Sequence, residues 1–181
     1  ASATIAAMVG NAGLGKITSV LIPIGLLVFV YGIFVLQGNI RSNGNGDAIS
    51  RLGALLALVG VIGWMVGAGI SLAITGSGLP AEQAVPTFGS LYSATLGIGT
   101  IAGIISGIGF LTLALAVSTR DDSNKNAALV AALAALVAIV VTIVGALDTT
   151  QLQTMNSITG VTYLVHMVWF FMLGRNMCKA G

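Results

Sequence analysis

Charge is what this chain has least of. Only 7% of its 181 residues are Asp, Glu, Lys or Arg, seven basic against five acidic. Soluble domains carry about a quarter charged residues, so the composition lies far outside that class. Disorder needs low hydrophobicity and high charge, the opposite of what is present. One cysteine, Cys178, excludes an intramolecular disulfide and any multi-Cys zinc site. Seven Lys/Arg, with a net charge of +2 and a pI near 9.0, are too few for a nucleic-acid-binding face. A single histidine and five acids leave little from which to build a catalytic or metal cluster. No G-x-S-x-G, H-E-x-x-H or G-x-x-x-x-G-K-[ST] pattern occurs. No catalytic residue, no metal site and no cofactor is assigned.

What is abundant is apolar surface: 56% of the residues, with a mean hydropathy of +1.04. The few charges cut the chain into long neutral runs. Crossing about 30 Å of hydrocarbon takes about 20 apolar residues in a helix. Trimmed of polar ends, the runs give spans at 18–37, 52–74, 91–117, 127–147 and 156–174, each free of Asp, Glu, Lys and Arg. Membrane barrels show short alternating segments instead of continuous runs. The fold class is therefore an all-α polytopic transmembrane bundle of about five spans. Its expected parts are an external N-terminal segment over 1–16, the bundle over 17–175 and a cytoplasmic tail over 176–181. The first 15 residues are too short and too Gly-rich to cross, though a short surface helix there is compatible with them.

Five spans put Arg41, Arg51, Arg120, Lys125, Arg175 and Lys179 on one side and only Lys16 on the other. The positive-inside rule then places the N-terminus outside and the C-terminus in the cytoplasm, in a plasma membrane. Residue 1 is Ala, which fits a removed signal peptide or simple loss of an initiator Met. The stretch "DAIS" offers Asp47 near the start of the second span, where an acid favours a helix N-terminus. "STRDDSNKN" does the same for the fourth span, with Asp121 and Asp122 on a solvated turn that lacks calcium-loop spacing. The longest loop, "TGSGLPAEQAVPTFGS", is stiffened by Pro80 and Pro86 and is expected on the outer face.

Small residues carry the main structural message. Gly99, Gly103 and Gly107 recur every four residues on one face of the third span, while Gly53, Gly60 and Gly67 recur every seven in the second. Lipid supplies no hydrophobic drive between helices, so close backbone approach holds a bundle together. Gly99, Gly103, Gly107, Gly60 and Gly67 are the expected helix-packing residues. Segment 55–68 also aligns without gaps on 133–146, with seven identities that include Ala57/Ala135 and Gly67/Gly145. This suggests two parallel-repeated hairpins plus a fifth span, although Leu/Ala/Val/Gly helices also match one another by composition.

The spans contain no Asp, Glu, Lys or Arg at membrane depth, which ion-coupled transporters normally need. His166, in the middle of the fifth span, is an ionisable side chain where such groups are rare, and the one cofactor-binding candidate. Helical spacing puts Thr159, Thr162, Tyr163, Trp169 and Phe170 on or near its face, and Val161, Leu164, Val165, Val168 and Met172 elsewhere. It is expected to face inward or a partner, held neutral by desolvation and hydrogen-bonded to Thr162 or another helix. Met65, Met155, Met167 and Met172 do not converge as soft metal ligands and read as packing. Tyr92 suits the interfacial belt and Trp64 a deeper helix contact. Cys178 reads as a free, partly exposed thiol that an acyl chain could modify.

Composition thus points to a part of a machine: an accessory or scaffold subunit of a larger membrane assembly. Its partners would be the bilayer and other membrane subunits or further copies of itself. The alternatives are a channel or carrier for a neutral small molecule or gas, and a subunit of a redox or oxidase complex with His166 near a cofactor.

Overall fold

The computed structural model describes residues 1–42, 46–120 and 123–180. Among them the chain is helical without strands: α1 (Ser2–Gly10), α2 (Ala12–Ser42), α3 (Asp47–Gly76), α4 (Ala81–Ser118), α5 (Lys125–Leu147) and α6 (Leu152–Ala180), the last entered through a 3-10 turn at Thr149–Gln151. Five of these are long and apolar enough to cross a membrane, namely Ala12–Arg41, Asp47–Gly76, Ala81–Ser118, Lys125–Leu147 and Thr154–Cys178. Each contains one of the spans expected from the sequence.

Burial runs opposite to that of a soluble domain. Leu133, Val161, Leu164 and Phe171 are exposed, while the buried face of α5 is Ala128, Ala131, Ala132, Ala134, Ala135, Ala138 and Gly145. In lipid, large aliphatic side chains gain nothing by turning inward, whereas small ones let backbones approach. The hydroxyls obey the same solvent. Those of Thr18, Thr75, Thr95, Thr100, Thr112 and Thr142 each donate to the carbonyl four residues earlier, so none needs water. The protein is an integral, multi-pass membrane protein.

The chain divides into two compact units, one of Ala1–Phe29 with Val61–Ala102, the other of Val30–Gly60 with Gly103–Gly181. In the first, α1 buries Ile5 against Ile74 of α3 and Ala84 of α4, with Met8, Val85, Phe88 and Tyr92 packed around them. The long outer loop expected over 75–90 is therefore mostly helix, and only residues 77–80 separate α3 from α4. Its prolines misled because of where they sit. Pro80 precedes the first residue of α4, and its carbonyl accepts from the amides of Gln83 and Ala84. Proline is favoured at a helix start, where its missing N–H costs nothing. Pro86 follows six residues into a helix that continues through it. Gly78 makes the turn with φ +69, a left-handed conformation that favours glycine. Nor do the boundaries at 16 and 175 coincide with helix ends, since α2 begins at Ala12 and α6 runs to Ala180.

In the second unit the helix starts are built as their sequences suggest. Asp47 opens α3, pairs with Arg51 at 3.0 Å and accepts from the Gln37 amide at 3.2 Å. Asn124 caps α5 by accepting from the Ala127 amide at 3.1 Å. The turn at Asp121 and Asp122 lies outside the described residues.

Candidate functional site

The polar side chains of the second unit gather where α4, α5 and α6 meet, and Gly107 lets α4 come close to α5 there. A Cβ at Gly103 would stand 3.7 Å from Thr142 Cγ2 of α5 and 3.8 Å from Tyr163 Oη of α6; at Gly107 it would stand 2.7 Å from Ile139 Cγ1. Gly109, on another face of α4, approaches the α3 backbone itself: its Cβ would lie 2.7 Å from Ala57 N and 2.9 Å from Gly53 O. Gly60 is buried, and in the first unit a Cβ at Gly67 would lie 3.3 Å from Thr95 Cγ2. Gly99 differs. Nothing lies within 4 Å of its added Cβ, so the four-residue ridge meets neighbours only from Gly103 onward.

On this scaffold His166 is 2% exposed. Its Nδ1 donates to the Thr162 carbonyl at 2.7 Å, and its ring packs on Phe110 of α4 at 5.2 Å between centroids. Nε2 is buried and makes no hydrogen bond. With Nδ1 protonated, the neutral ring presents an unprotonated acceptor there. One turn earlier, Tyr163 is hydrogen-bonded to Ser106, whose hydroxyl reaches the Gly103 carbonyl at 3.2 Å. One turn later, Trp169 packs on Phe170, which meets Phe110 edge-on. Thr162, His166 and Trp169 are buried while Val161, Leu164, Met167 and Val168 are exposed. Val165 is half-buried, and Met172 is partly exposed.

The sequence reading missed Ser106 and Phe110. Both stand at helical spacing from Gly103, three and seven residues on, so the ridge itself was the available signal. It also treated Arg120 as one more loop charge, although the side chain is 6% exposed and donates to the Asn39 carbonyl at 3.1 Å. Among the described residues no group of three His, Cys, Asp or Glu comes together. The His166 cluster can position an acceptor nitrogen in a dry, aromatic setting. Outside the membrane spans, Asp148 accepts from the Thr150 hydroxyl at 2.6 Å and its amide at 3.0 Å, which holds the carboxyl below its usual value and forms a local turn. No protein-family model, curated protein or solved structure matches the chain.

Proposed function

We propose that the protein is an accessory or scaffold subunit of a larger membrane assembly, with its N-terminus outside and its C-terminus in the cytoplasm. The supporting observation is glycine spent on an outward face. Gly25 and Gly32 of α2 are exposed, seven residues apart, and a Cβ at either would meet nothing within 4 Å. They share a helix face with exposed Leu21, Val28 and Val35. Glycine costs a helix about 1 kcal/mol relative to alanine. A close helix–helix contact repays that cost in lipid, and among the described residues none comes within 4 Å of a Cβ at either position. The partner is another membrane subunit or a second copy.

Purification in gentle detergent tests this. The wild-type chain should travel in a larger particle, and Gly25→Leu with Gly32→Leu should release it as a folded monomer. Migration as a monomer from the start, or no effect of the double variant, would overturn the reading. Labelling of introduced cysteines in whole cells tests the orientation: position 82 should react from outside and position 122 should not.

The unbonded Nε2 of His166 favours a second reading, in which a redox cofactor sits beside it. A backbone-bonded Nδ1 with an open Nε2 is how a ligating histidine is held. The packing weighs against it, since the ring would have to leave Phe110 to reach a cofactor. A visible absorption band that disappears in His166→Leu would establish this reading over the first.

A further inference from the structure

At the end of the second unit where Arg120 lies, α2, α4, α5 and α6 enclose a cavity of about 210 Å³. The one charged side chain among its described lining residues is already satisfied: Arg120 donates to the Asn39 carbonyl at 3.1 Å and makes a further interaction. What the wall offers a ligand is therefore neutral. Trp169 lines the cavity at 4% exposure, and among the described residues its indole N–H meets no acceptor. Nor is that N–H sealed in protein as His166 Nε2 is, so the cavity is where an acceptor can reach it. Asn176, seven residues on, presents a carboxamide that is likewise without a partner among the described residues. We propose that this cavity binds the head of a lipid-soluble quinone, one carbonyl accepting from Trp169 and the other from Asn176, with the chain leaving past Met172.

Charge selects first. With Arg120 satisfied and no acidic side chain among the described lining residues, neither an anion nor a cation recovers here what it loses in leaving water. A neutral carbonyl does gain, because a buried indole N–H has given up water and has no acceptor in exchange. Depth selects next. The span Thr154–Cys178 is centred on residue 166, so Trp169 lies about 4.5 Å along the axis from the middle of the bilayer. The ester carbonyls of a glycerolipid are tied to the edge of the hydrocarbon, about 15 Å from its middle, and fall short of that level. An uncharged ring has no such tether.

Shape completes the selection. Trp169 and Asn176 stand about 10 Å apart along the axis, so the ligand needs an acceptor at each end. A para-quinone carries its two carbonyls at opposite ends of one flat ring. Leu36 and Val117 give that ring an apolar wall, and Met172 and Met177 bring sulfur atoms suited to aromatic edges. The volume lies below the roughly 300–1,000 Å³ of pockets that enclose whole small molecules, which suits a ring whose chain stays outside. Met172 lines the cavity and is also exposed, which leaves the chain a lateral exit toward lipid. His166 is not among the lining residues, so this site is distinct from any cofactor held at its Nε2.

Native mass spectrometry of the full chain, released from phosphatidylcholine nanodiscs loaded with decylubiquinone, tests the site. The wild type should retain one quinone per chain. Trp169→Phe keeps an aromatic ring but deletes the donor, and should weaken retention about ten-fold, the scale of one hydrogen bond. Ala127→Leu fills the cavity from α5 with both donors left in place, and should abolish retention. Should Ala127→Leu fail to fold, Trp169→Phe decides. Trp64→Phe, at the tryptophan outside the cavity, should leave retention unchanged. Decylbenzene carries a similar tail without carbonyls and should not be held. No quinone on the wild type, full retention in Trp169→Phe, or equal loss in Trp64→Phe overturns the proposal. So does retention of decylbenzene to the same extent, or of phosphatidylcholine in place of the quinone.

Discussion

Replacing Gly109 with alanine tests the central packing claim at its tightest contact with backbone atoms. The new Cβ would stand 2.7 Å from Ala57 N, 2.9 Å from Gly53 O and 3.2 Å from Ala57 Cα. All three are backbone atoms, so no rotamer change can relieve the contact. Reaching an ordinary separation near 3.4 Å requires α3 and α4 to part by about 0.7 Å. Forcing extra atoms into a packed contact costs about 1–3 kcal/mol. Against this, glycine to alanine in a helix recovers about 1 kcal/mol. Gly99→Ala is the matched control: it gains the same propensity on the same helix and meets nothing within 4 Å. The propensity gain cancels between the two, leaving a stability gap of about 1–3 kcal/mol that belongs to packing alone. Reversible unfolding in mixed micelles titrated with dodecyl sulfate, followed by far-ultraviolet circular dichroism, measures it. Equal stability of Gly109→Ala and Gly99→Ala would refute the close α3–α4 contact.

Gly46 precedes α3 with φ +86, and a Cβ there would lie 3.0 Å from the Ala116 carbonyl, so Gly46→Ala should cost at least about 1 kcal/mol in the same unfolding assay. His166→Leu removes one hydrogen bond worth about 1 kcal/mol and also the burial of an unbonded Nε2, which costs about 1–3 kcal/mol. The variant should be as stable as the wild type or more so; a clear loss of stability would show that the imidazole is structural. Thr150→Val removes the hydroxyl donor to Asp148, whose depressed carboxyl pKa should rise toward its usual 3.8 in an NMR titration. Because folding lowers that pKa, the contribution is present above the unfolded value and fades as pH falls through the folded one. Thr150→Val should therefore flatten the acid end of the stability profile, and an unchanged profile would exclude Asp148 as its source.

The five spans were legible because charge and length alone decide which segments can cross hydrocarbon. Burial of His166 was legible for a related reason: a helix fixes which residues share a face, and only one face of α6 carries polar partners. The 81–90 segment was not legible, because Pro80, Pro86 and Gly89 are local signals for a turn while its helix is held by Ile5 of α1, far away in sequence. Arg120 was hidden in the same way. Nothing in "STRDDSNKN" separates it from Arg41, and its burial arises where α2 and α6 close over the end of α4. The glycines carry the sharpest contrast. Gly25 and Gly32 keep the same seven-residue spacing as Gly53, Gly60 and Gly67, so periodicity assigns both sets to helix contacts. Yet Gly53 would press a Cβ to 2.7 Å from Leu113, while Gly25 and Gly32 face open space. Spacing reports that a helix face admits close approach. Whether the approaching helix belongs to the same chain is decided by where the other helices go, and among the described residues none comes within 4 Å of a Cβ at Gly25 or Gly32. That is why the packing signal, internal at Gly103, Gly107 and Gly109 of α4, becomes on α2 an argument for a partner.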